Sequence, residues 1–175
     1  YNTSNLLINE QDIDLSTGTP VNTAQYNYTY SSTNQLLTST YQTWNGSSWV
    51  NSNMYTNTYD TTGRLVNQEY QVWDAVNSVW SNNSLAEYSN FVSGTGLAQT
   101  VINETWSPVG TGTWVPNRKY TNTYNSFSQL TNSYGISYNP SISTYESRYT
   151  YQDANGYQVI FYERIDKYDV GDTLK

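Results

Sequence analysis

The feature that most constrains the fold of this chain is an internal period of about 30 residues. The motif YTNTY occurs at residues 55–59 and again at residues 120–124. If the aromatic residue that closes each such stretch is taken as an anchor, the anchors are 27 to 33 residues apart. A period of this size is typical of repeat architectures, in which each unit buries its apolar surface against its neighbours. The anchors are Tyr1, Tyr30, Tyr59, Phe91, Tyr124 and Tyr151.

A second residue recurs six positions after each anchor, and turn formers lie between the two. The intervening stretches SSTNQ and DTTGR show the composition, with Asn or Gly near the position where a chain reversal needs a positive φ. We therefore predict a tight hairpin connection after each anchor. The six recurring residues are Leu7, Leu36, Leu65, Leu97, Leu130 and Tyr157.

Paired tryptophans flank a second turn in three of the units. Four to seven residues separate the members of a pair, so the loop length varies while the flanking rings stay. Such rings could be exposed and stack on sugar rings, or they could pack on each other as hairpin clamps. The packed interpretation is favoured, but these rings are the candidate ligand-binding residues of the chain. They are Trp44, Trp49, Trp73, Trp80, Trp106 and Trp114.

Side-chain alternation predicts strands rather than helices. Trp49, Tyr55 and Tyr59 share one parity, and Thr56 and Thr58 take the other. The same parity recurs at Trp114, Tyr120 and Tyr124. The sequence therefore predicts an all-β fold with almost no helix, an antiparallel array of β-hairpin repeats in which stacked aromatic rings form the core.

The predicted domain organisation is a single repeat array over residues 1–175. It contains about five units of 27–33 residues and a final unit that is partial or capping. The approximate units are 1–29, 30–58, 59–90, 91–123, 124–150 and 151–175.

The composition limits the chemistry that the chain can perform. It has no cysteine and no histidine, which removes thiolate zinc sites and the commonest general base. Three carboxylate pairs are explained better as turn or edge residues than as catalytic pairs. They are Asp12 with Asp14, Glu69 with Asp74, and Glu163 with Asp166. We therefore expect a protein that is not an enzyme, with no catalytic residues, no metal and no cofactor.

The charge and hydropathy of the chain exclude two classes of partner. With 14 acidic and seven basic residues the net charge is −7, the wrong sign for binding nucleic acid. No apolar run approaches the roughly 20 residues of a membrane span. A surface rich in Asn, Ser, Thr and Tyr indicates a secreted, extracellular or cell-surface protein.

The stretch YDTTGRL, residues 59–65, resembles the YDxxGRL motif of the Rhs and YD-repeat families. YNTSNLL and YSSTNQL keep the aromatic residue and the leucine of that motif. Together with WNGSSWVNS, residues 44–52, the pattern is also similar to tandem arrays in secreted proteins of the Bacteroidetes, which commonly leave through the type IX system. The resemblance implies one hairpin per repeat in a twisted sheet or solenoid. It does not imply a toxin-enclosing shell, because five units are too few to enclose anything.

These expectations favour a non-enzymatic secreted or cell-surface repeat module that serves as a structural spacer, adhesin segment or filament unit. The alternative is a carbohydrate-binding module that uses the Trp and Tyr residues flanking the hairpin loops. The expected partners are glycans or other surface proteins, and exposed sheet edges offer a route to self-association.

Overall fold

The computed structural model of the protein describes residues 1–16, 18–107, 112–138, 143–154 and 157–167. The last two ranges are described as strands only. Eleven β-strands account for most of these residues, and no helix occurs within the described ranges. The all-β prediction is confirmed. The strands are β1 (Asn9–Asp14), β2 (Val21–Tyr30), β3 (Leu36–Trp44), β4 (Trp49–Tyr59), β5 (Leu65–Asp74), β6 (Val79–Phe91), β7 (Ala98–Ser107), β8 (Thr113–Tyr124), β9 (Leu130–Ser137), β10 (Ser143–Ala154) and β11 (Tyr157–Lys167).

The strands form one open sheet, and their order in the sheet is their order in the sequence. Strands that follow one another pair antiparallel, as in β2 with β3 and β3 with β4, which short turns allow. The predicted hairpin connectivity is therefore confirmed. The chain divides into two compact units, Tyr1–Leu85 and Ala86–Lys175. The boundaries of the six repeat units stay a prediction.

Within Tyr1–Leu85, one face of the sheet carries the tyrosines of β2 to β5. Tyr26 pairs with Tyr41, and Tyr55 pairs with Tyr70. Cross-strand partners share a face, and so do residues two apart along a strand. Asn53 is the partner of Tyr41 and lies two residues before Tyr55, so both pairs lie on one side. We call this side the tyrosine face and the opposite side the amide face.

A β-bulge in β4 interrupts the alternation between the two faces. Gln42 pairs with Asn51, whereas its neighbour Tyr41 pairs with Asn53. Ser52 is therefore an extra residue on β4. Residues on either side of such a bulge no longer follow simple odd and even positions.

The bulge changes the face on which a predicted site residue lies. The prediction that Trp49 shares a face with the tyrosines of YTNTY is wrong, because Trp49 lies beyond the bulge and on the amide face. In β8 an equivalent register shift occurs at Asn117. It separates Trp114 from Tyr120 in the same way.

The sheet has little fully buried interior among the side chains that the structure describes. The buried hydrophobic residues are Ala24 and Ala98, and no large side chain there is less than 2% exposed. Aromatic rings do pair across strands, as in Tyr55 and Tyr70, whose centroids are 4.8 Å apart. Tyr55 is nevertheless 42% exposed. The predicted aromatic core is therefore a set of partly solvated ring pairs.

Four of the turns that follow an anchor share one backbone hydrogen-bond arrangement. The first residue donates its N–H to the carbonyl four residues later, and the fourth residue donates its N–H to the first carbonyl. This is the three-residue hairpin loop, in which a left-handed residue follows a type I turn. The left-handed residues are Asn5, Asn34, Gly63 and Ser128, with φ of 59°, 64°, 85° and 63°. The turns begin at Asn2, Ser31, Asp60 and Asn125.

The turn at residues 92–97 is one residue longer than these four. Its first N–H donates to the carbonyl five residues later, that of Leu97, and β7 begins at Ala98. Ala98 therefore has the place at the start of a strand that Leu36 and Leu65 have. The predicted equivalence of Leu97 is wrong, since the extra turn residue moves the strand by one position.

Candidate functional site

The six tryptophans predicted as site residues form three pairs, each across one hairpin. The ring centroids are 5.1, 5.0 and 5.0 Å apart, and the ring planes are inclined by 64°, 68° and 71°. This edge-to-face contact contributes about 0.5–1.5 kcal/mol beyond the burial of area. The pairs are Trp44 with Trp49, Trp73 with Trp80, and Trp106 with Trp114.

The tryptophan pairs stand at loops and keep part of each ring in solvent. All six side chains are half-buried. The first two pairs lie within Tyr1–Leu85 and the third within Ala86–Lys175, so the structure brings the rings together two at a time. Because each ring packs against its partner, the geometry favours hairpin clamps, with the outer ring surface left over for contact with a ligand.

Short polar residues fix the loops between the paired rings. The side-chain oxygen of Asn45 accepts the N–H groups two and three residues later, at 3.0 and 2.9 Å. Asp74 does the same at 2.9 and 3.1 Å. In the third loop, a Cβ added to Gly112 would approach the Trp106 ring to 2.5 Å. A residue without a side chain is therefore needed at position 112 for the ring to lie where it does.

A ladder of side-chain amides crosses β1 to β4 on the amide face. The Nε2 of Gln11 donates to Oε1 of Gln25 at 3.2 Å, and Nε2 of Gln25 donates to Oε1 of Gln42 at 2.6 Å. The Nε2 of Gln42 then donates to Oδ1 of Asn51 at 2.7 Å. Gln25 is only 7% exposed. Each inner amide is thus both donor and acceptor, which suits a directional chain of mutually polarised hydrogen bonds.

Sequence reasoning missed the amide ladder, although part of its signal is visible. Amides alternate with tyrosines in the stretch QYNY, residues 25–28, which places them on the side opposite the rings. The link from Gln42 to Asn51 could not be read from the sequence. It depends on the bulge at Ser52, which sets which asparagine of β4 faces Gln42.

Three anchor tyrosines donate the same long-range hydrogen bond. Their hydroxyl groups reach backbone carbonyls 23, 23 and 26 residues earlier in the chain. Each bond ties the end of one strand to the start of the strand with which it pairs, or to the residues just before that strand. The bonds run from Tyr30 to Leu7, from Tyr59 to Leu36 and from Tyr124 to Ala98, at 2.9, 3.0 and 3.1 Å.

The carboxylate of Asp60 organises its own turn. Its Oδ1 accepts the N–H groups of Thr62 and Arg64 at 2.9 and 3.0 Å. Its Oδ2 accepts a bond from Nε of Arg64 at 2.7 Å, and a second guanidinium nitrogen lies 2.7 Å away. The backbone N–H of Arg64 and the Thr62 hydroxyl hold the pKa of Asp60 well below its usual range.

The carboxylates weighed as catalytic pairs have structural surroundings. Asp14 accepts the N–H of Ser16 at 2.8 Å, and this bond lowers its pKa. The Asn77 side chain, followed by its N–H, lowers the pKa of Asp74. The turn role predicted for Asp14 and Asp74 is confirmed. The remaining pair, Glu163 with Asp166, lies outside the described side chains.

One carboxylate has the opposite shift. Burial, and then the charge of Glu87, raise the pKa of Glu104.

Within the described residues no group of three or more His, Cys, Asp or Glu side chains is placed to hold a metal ion. In the same part of the chain, no helix has the length and hydropathy needed to cross a membrane.

A shallow depression of about 350 Å³ lies between two neighbouring turns. It is lined by Thr33, Gln35 and residues 60–63. The Nε2 of Gln35 donates to the carbonyl of Gly63 at 2.9 Å, which joins the two turns. Since its acidic group, Asp60, is already ion-paired with Arg64, the depression is best described as a seam between turns.

Comparison with known proteins finds similarity at the level of the fold. No protein-family model matches the chain, and no curated protein sequence matches it. A protein of unknown function from Bacteroides fragilis has a similar structure, with a TM-score of 0.54 and 15% identity over 82% of this chain and 91% of that one. At this identity the likeness supports the all-β fold alone.

Two proteins of the DUF3836 family also match in part. The one from Bacteroides vulgatus has a TM-score of 0.42 and 18% identity over 53% of this chain and 91% of its own. The one from Parabacteroides distasonis has a TM-score of 0.38 and 10% identity over 61% and 92%.

Proposed function

We propose that this protein is a non-enzymatic module of a secreted or cell-surface protein, in which tandem β-hairpin units act as a structural spacer, adhesin segment or filament unit. The units are those predicted from the anchors, each with a tight turn after its anchor.

The observation that carries this proposal is the bond from three of the anchor tyrosines to earlier carbonyls. The hydroxyl of Tyr59, at the end of β4, donates to the carbonyl of Leu36 at the start of the paired strand β3, and Tyr124 makes the corresponding bond to Ala98. Each bond fastens the end of a hairpin opposite its tryptophan loop without a thick core. A module that has to keep its length under tension benefits from strand ends that are fastened in this way.

The turn that begins at Asp60 supports the proposed kinship with YD repeats. Asp60 caps two N–H groups, Gly63 adopts the positive φ of 85°, and Arg64 pairs with the Asp60 carboxylate. Leu65 then pairs with Tyr59 across the turn. Each fixed position of YDxxGRL thus has a physical role in this turn.

Single-molecule stretching tests the spacer role. The protein, held by its two ends, is pulled in an optical trap. We expect stepwise unfolding with increments of about 10 nm for a unit of about 29 residues. Tyr59→Phe should lower the unfolding force of its unit, and Tyr55→Phe, which keeps the ring and lies outside the link, should leave it unchanged. A chain that extends without measurable force would contradict the spacer role.

Location is tested on intact cells that produce the full-length protein. Brief protease treatment followed by mass spectrometry should release peptides of this module from the cell surface or find them in the medium. A module that becomes accessible only after lysis would remove the surface proposal.

Carbohydrate binding by the tryptophan pairs is the second candidate function. It is favoured by one observation, the partial exposure of all six rings in three pairs of nearly identical geometry. Tandem weak contacts on one glycan would add through avidity. Pull-down on insoluble polysaccharides should then show binding that Trp49→Ala and Trp114→Ala both weaken. Binding that survives both substitutions excludes these rings as the site.

A further inference from the structure

The chain exposes more surface than its mass predicts. Its accessible area is 11898 Å², whereas a compact monomer of 20.0 kDa exposes about 8,700 Å². The excess is about 3,200 Å², and a stable protein interface takes about 800 Å² from each partner. The molecule therefore has enough uncovered surface for a large interface.

Strands β2 to β4 carry no charged residue. None of the residues in Val21–Tyr30, Leu36–Trp44 or Trp49–Tyr59 is acidic or basic, and in β5 the acidic Glu69 pairs with Thr56 and so lies on the amide face. At the β1 border of the tyrosine face, Glu10 pairs with Tyr26 and accepts a hydrogen bond from the Tyr28 hydroxyl at 3.3 Å. The part of the face that lies over β3 to β5, away from Glu10, therefore escapes much of the self-repulsion that a net charge of −7 would otherwise cause.

The two faces differ in how much apolar surface they leave exposed. On the amide face, Gln25 and Gln42 are joined by a short hydrogen bond, and the half-buried rings of Trp44 and Trp49 pack on each other. The tyrosine face also has a bonded amide pair, Gln68 with Asn57 at 3.1 Å, but on it Tyr55 is 42% exposed and Val72 is 39% exposed. Exposed rings and methyl groups gain about 25 cal/mol for each Å² removed from water.

The first strand of the sheet is a poor place for edge-to-edge pairing. β1 carries Glu10, Asp12 and Asp14, and all of its residues are exposed. Charges on an edge strand oppose the addition of another strand. Self-association of this chain is therefore better supported by a face than by this edge.

We propose that two copies of this chain bind each other through their tyrosine faces. The interface is a face-to-face packing of two sheets about 10 Å apart, as in a β-sandwich. It is centred on Tyr55, Tyr70 and Val72, with Tyr41 beside them, and the acidic border at Glu10 lies outside it. Each copy covers the tyrosine face of the other.

Sedimentation velocity of the whole chain at concentrations from about 1 to about 200 µM tests the proposal, because mass action makes the fraction of dimer rise with protein concentration. We expect a reversible dimer that dissociates on dilution. Tyr55→Glu should weaken it by about 30-fold or more, the effect of removing an interface hot spot. Met54→Glu is the matched control, because Met54 neighbours Tyr55 but points to the amide face, and it should leave the dimer unchanged.

Cysteine labelling keeps the proposal testable if Tyr55→Glu fails to fold. The chain has no cysteine, so Val72→Cys and Met54→Cys each create a single thiol on opposite faces. A short bis-maleimide should link two copies of Val72→Cys and not of Met54→Cys. A monomer at every concentration overturns the proposal, as does cross-linking through Met54→Cys alone. A monomer that binds an insoluble polysaccharide through this face would overturn it as well.

Discussion

In the unit Tyr1–Leu85, the strands are joined by turns of two kinds at opposite ends of the hairpins. The turns that begin at Ser31 and Asp60 have the same length, and a side-chain oxygen at the first position accepts N–H groups two and four residues later. The loops that follow Trp44 and Trp73 differ in length by two residues. Their flanking rings nevertheless meet at 5.1 and 5.0 Å.

The difference shows that a turn keeps its length where a side-chain oxygen spans it. Ser31 and Asp60 reach the N–H group four residues later, at the far side of the turn, whereas Asn45 and Asp74 reach only the N–H groups two and three residues later. In the tryptophan loops, contact between the rings holds the two strands, so the loop length can change. The turn at residues 92–97 supports this, because it begins with Val92, which has no capping oxygen, and it is one residue longer. Thr95 supplies the oxygen there and accepts the N–H of Leu97 at 3.1 Å.

Trp49→Ala should have the largest effect among substitutions at the two kinds of turn. Removal of a half-buried ring and its edge-to-face contact should cost about 2 kcal/mol, below the 3–5 kcal/mol of a fully buried Trp. Urea unfolding at neutral pH measures the loss. Trp49→Phe is the control, and its loss of stability should be less than half of the loss caused by Trp49→Ala. Insertion of two glycines into residues 45–48 should cost less than about 1 kcal/mol. If the insertion costs more than Trp49→Ala, the rings do not hold this end.

Gly63→Val tests the opposite end. A β-branched residue at φ of 85° should cost about 1–2 kcal/mol, because its Cβ crowds the backbone in the left-handed region. Gly63→Asn should be nearly neutral, since Asn5 and Asn34 hold the same conformation in the equivalent turns. Thermal melts of the two variants separate these outcomes. Equal losses of stability in Gly63→Val and Gly63→Asn would mean that the space around residue 63, and not its φ, limits which residue fits there.

The sequence alone predicts the parts of this fold that local chemistry determines. The turn at Asp60 is readable because its capping oxygen and its left-handed Gly63 lie within five residues. The pairing of Trp44 with Trp49 is readable for the same reason, since only a short loop separates the rings. Strands, their antiparallel order and the absence of helix in the described residues follow from these two signals.

The rest depends on register, which no local signal sets. Counting odd and even positions puts Trp49 beside Tyr55, and the bulge at Ser52 reverses this. The amide ladder follows from the same register. An alternating tyrosine pattern is also the same whether or not a second layer of structure covers the rings, so the pattern does not predict the exposure of Tyr55.

Tyr59→Phe should have a smaller effect than either turn substitution. It removes the hydroxyl that donates to the Leu36 carbonyl at 3.0 Å and keeps the ring. The expected cost is about 1 kcal/mol, the usual worth of one hydrogen bond. Tyr55→Phe is the matched control and should change stability by less than about 0.5 kcal/mol, because that ring is already 42% exposed. Chemical unfolding measures both losses of stability, and equal losses would mean that the Tyr59 bond to the Leu36 carbonyl contributes nothing.

Asp60→Asn should have the smallest effect, and its dependence on pH is the informative part. The amide keeps an oxygen that can cap the turn, as Asn125 does at 3.0 Å, but it loses the ion pair with Arg64. Because the pKa of Asp60 is lowered in the folded protein, its charge stabilises the fold above the unfolded pKa of about 4 and stops doing so as the pH falls through the folded value. Wild type should therefore be the more stable protein at pH 7, and the two melting temperatures should converge as the pH falls below about 4. Added salt should also narrow the gap at pH 7, since the pair is partly exposed. If the difference in melting temperature changes with neither pH nor salt, Asp60 acts through its shape and not through its charge. The turns at Asn2 and Asn125 would then be equivalent to the turn at Asp60.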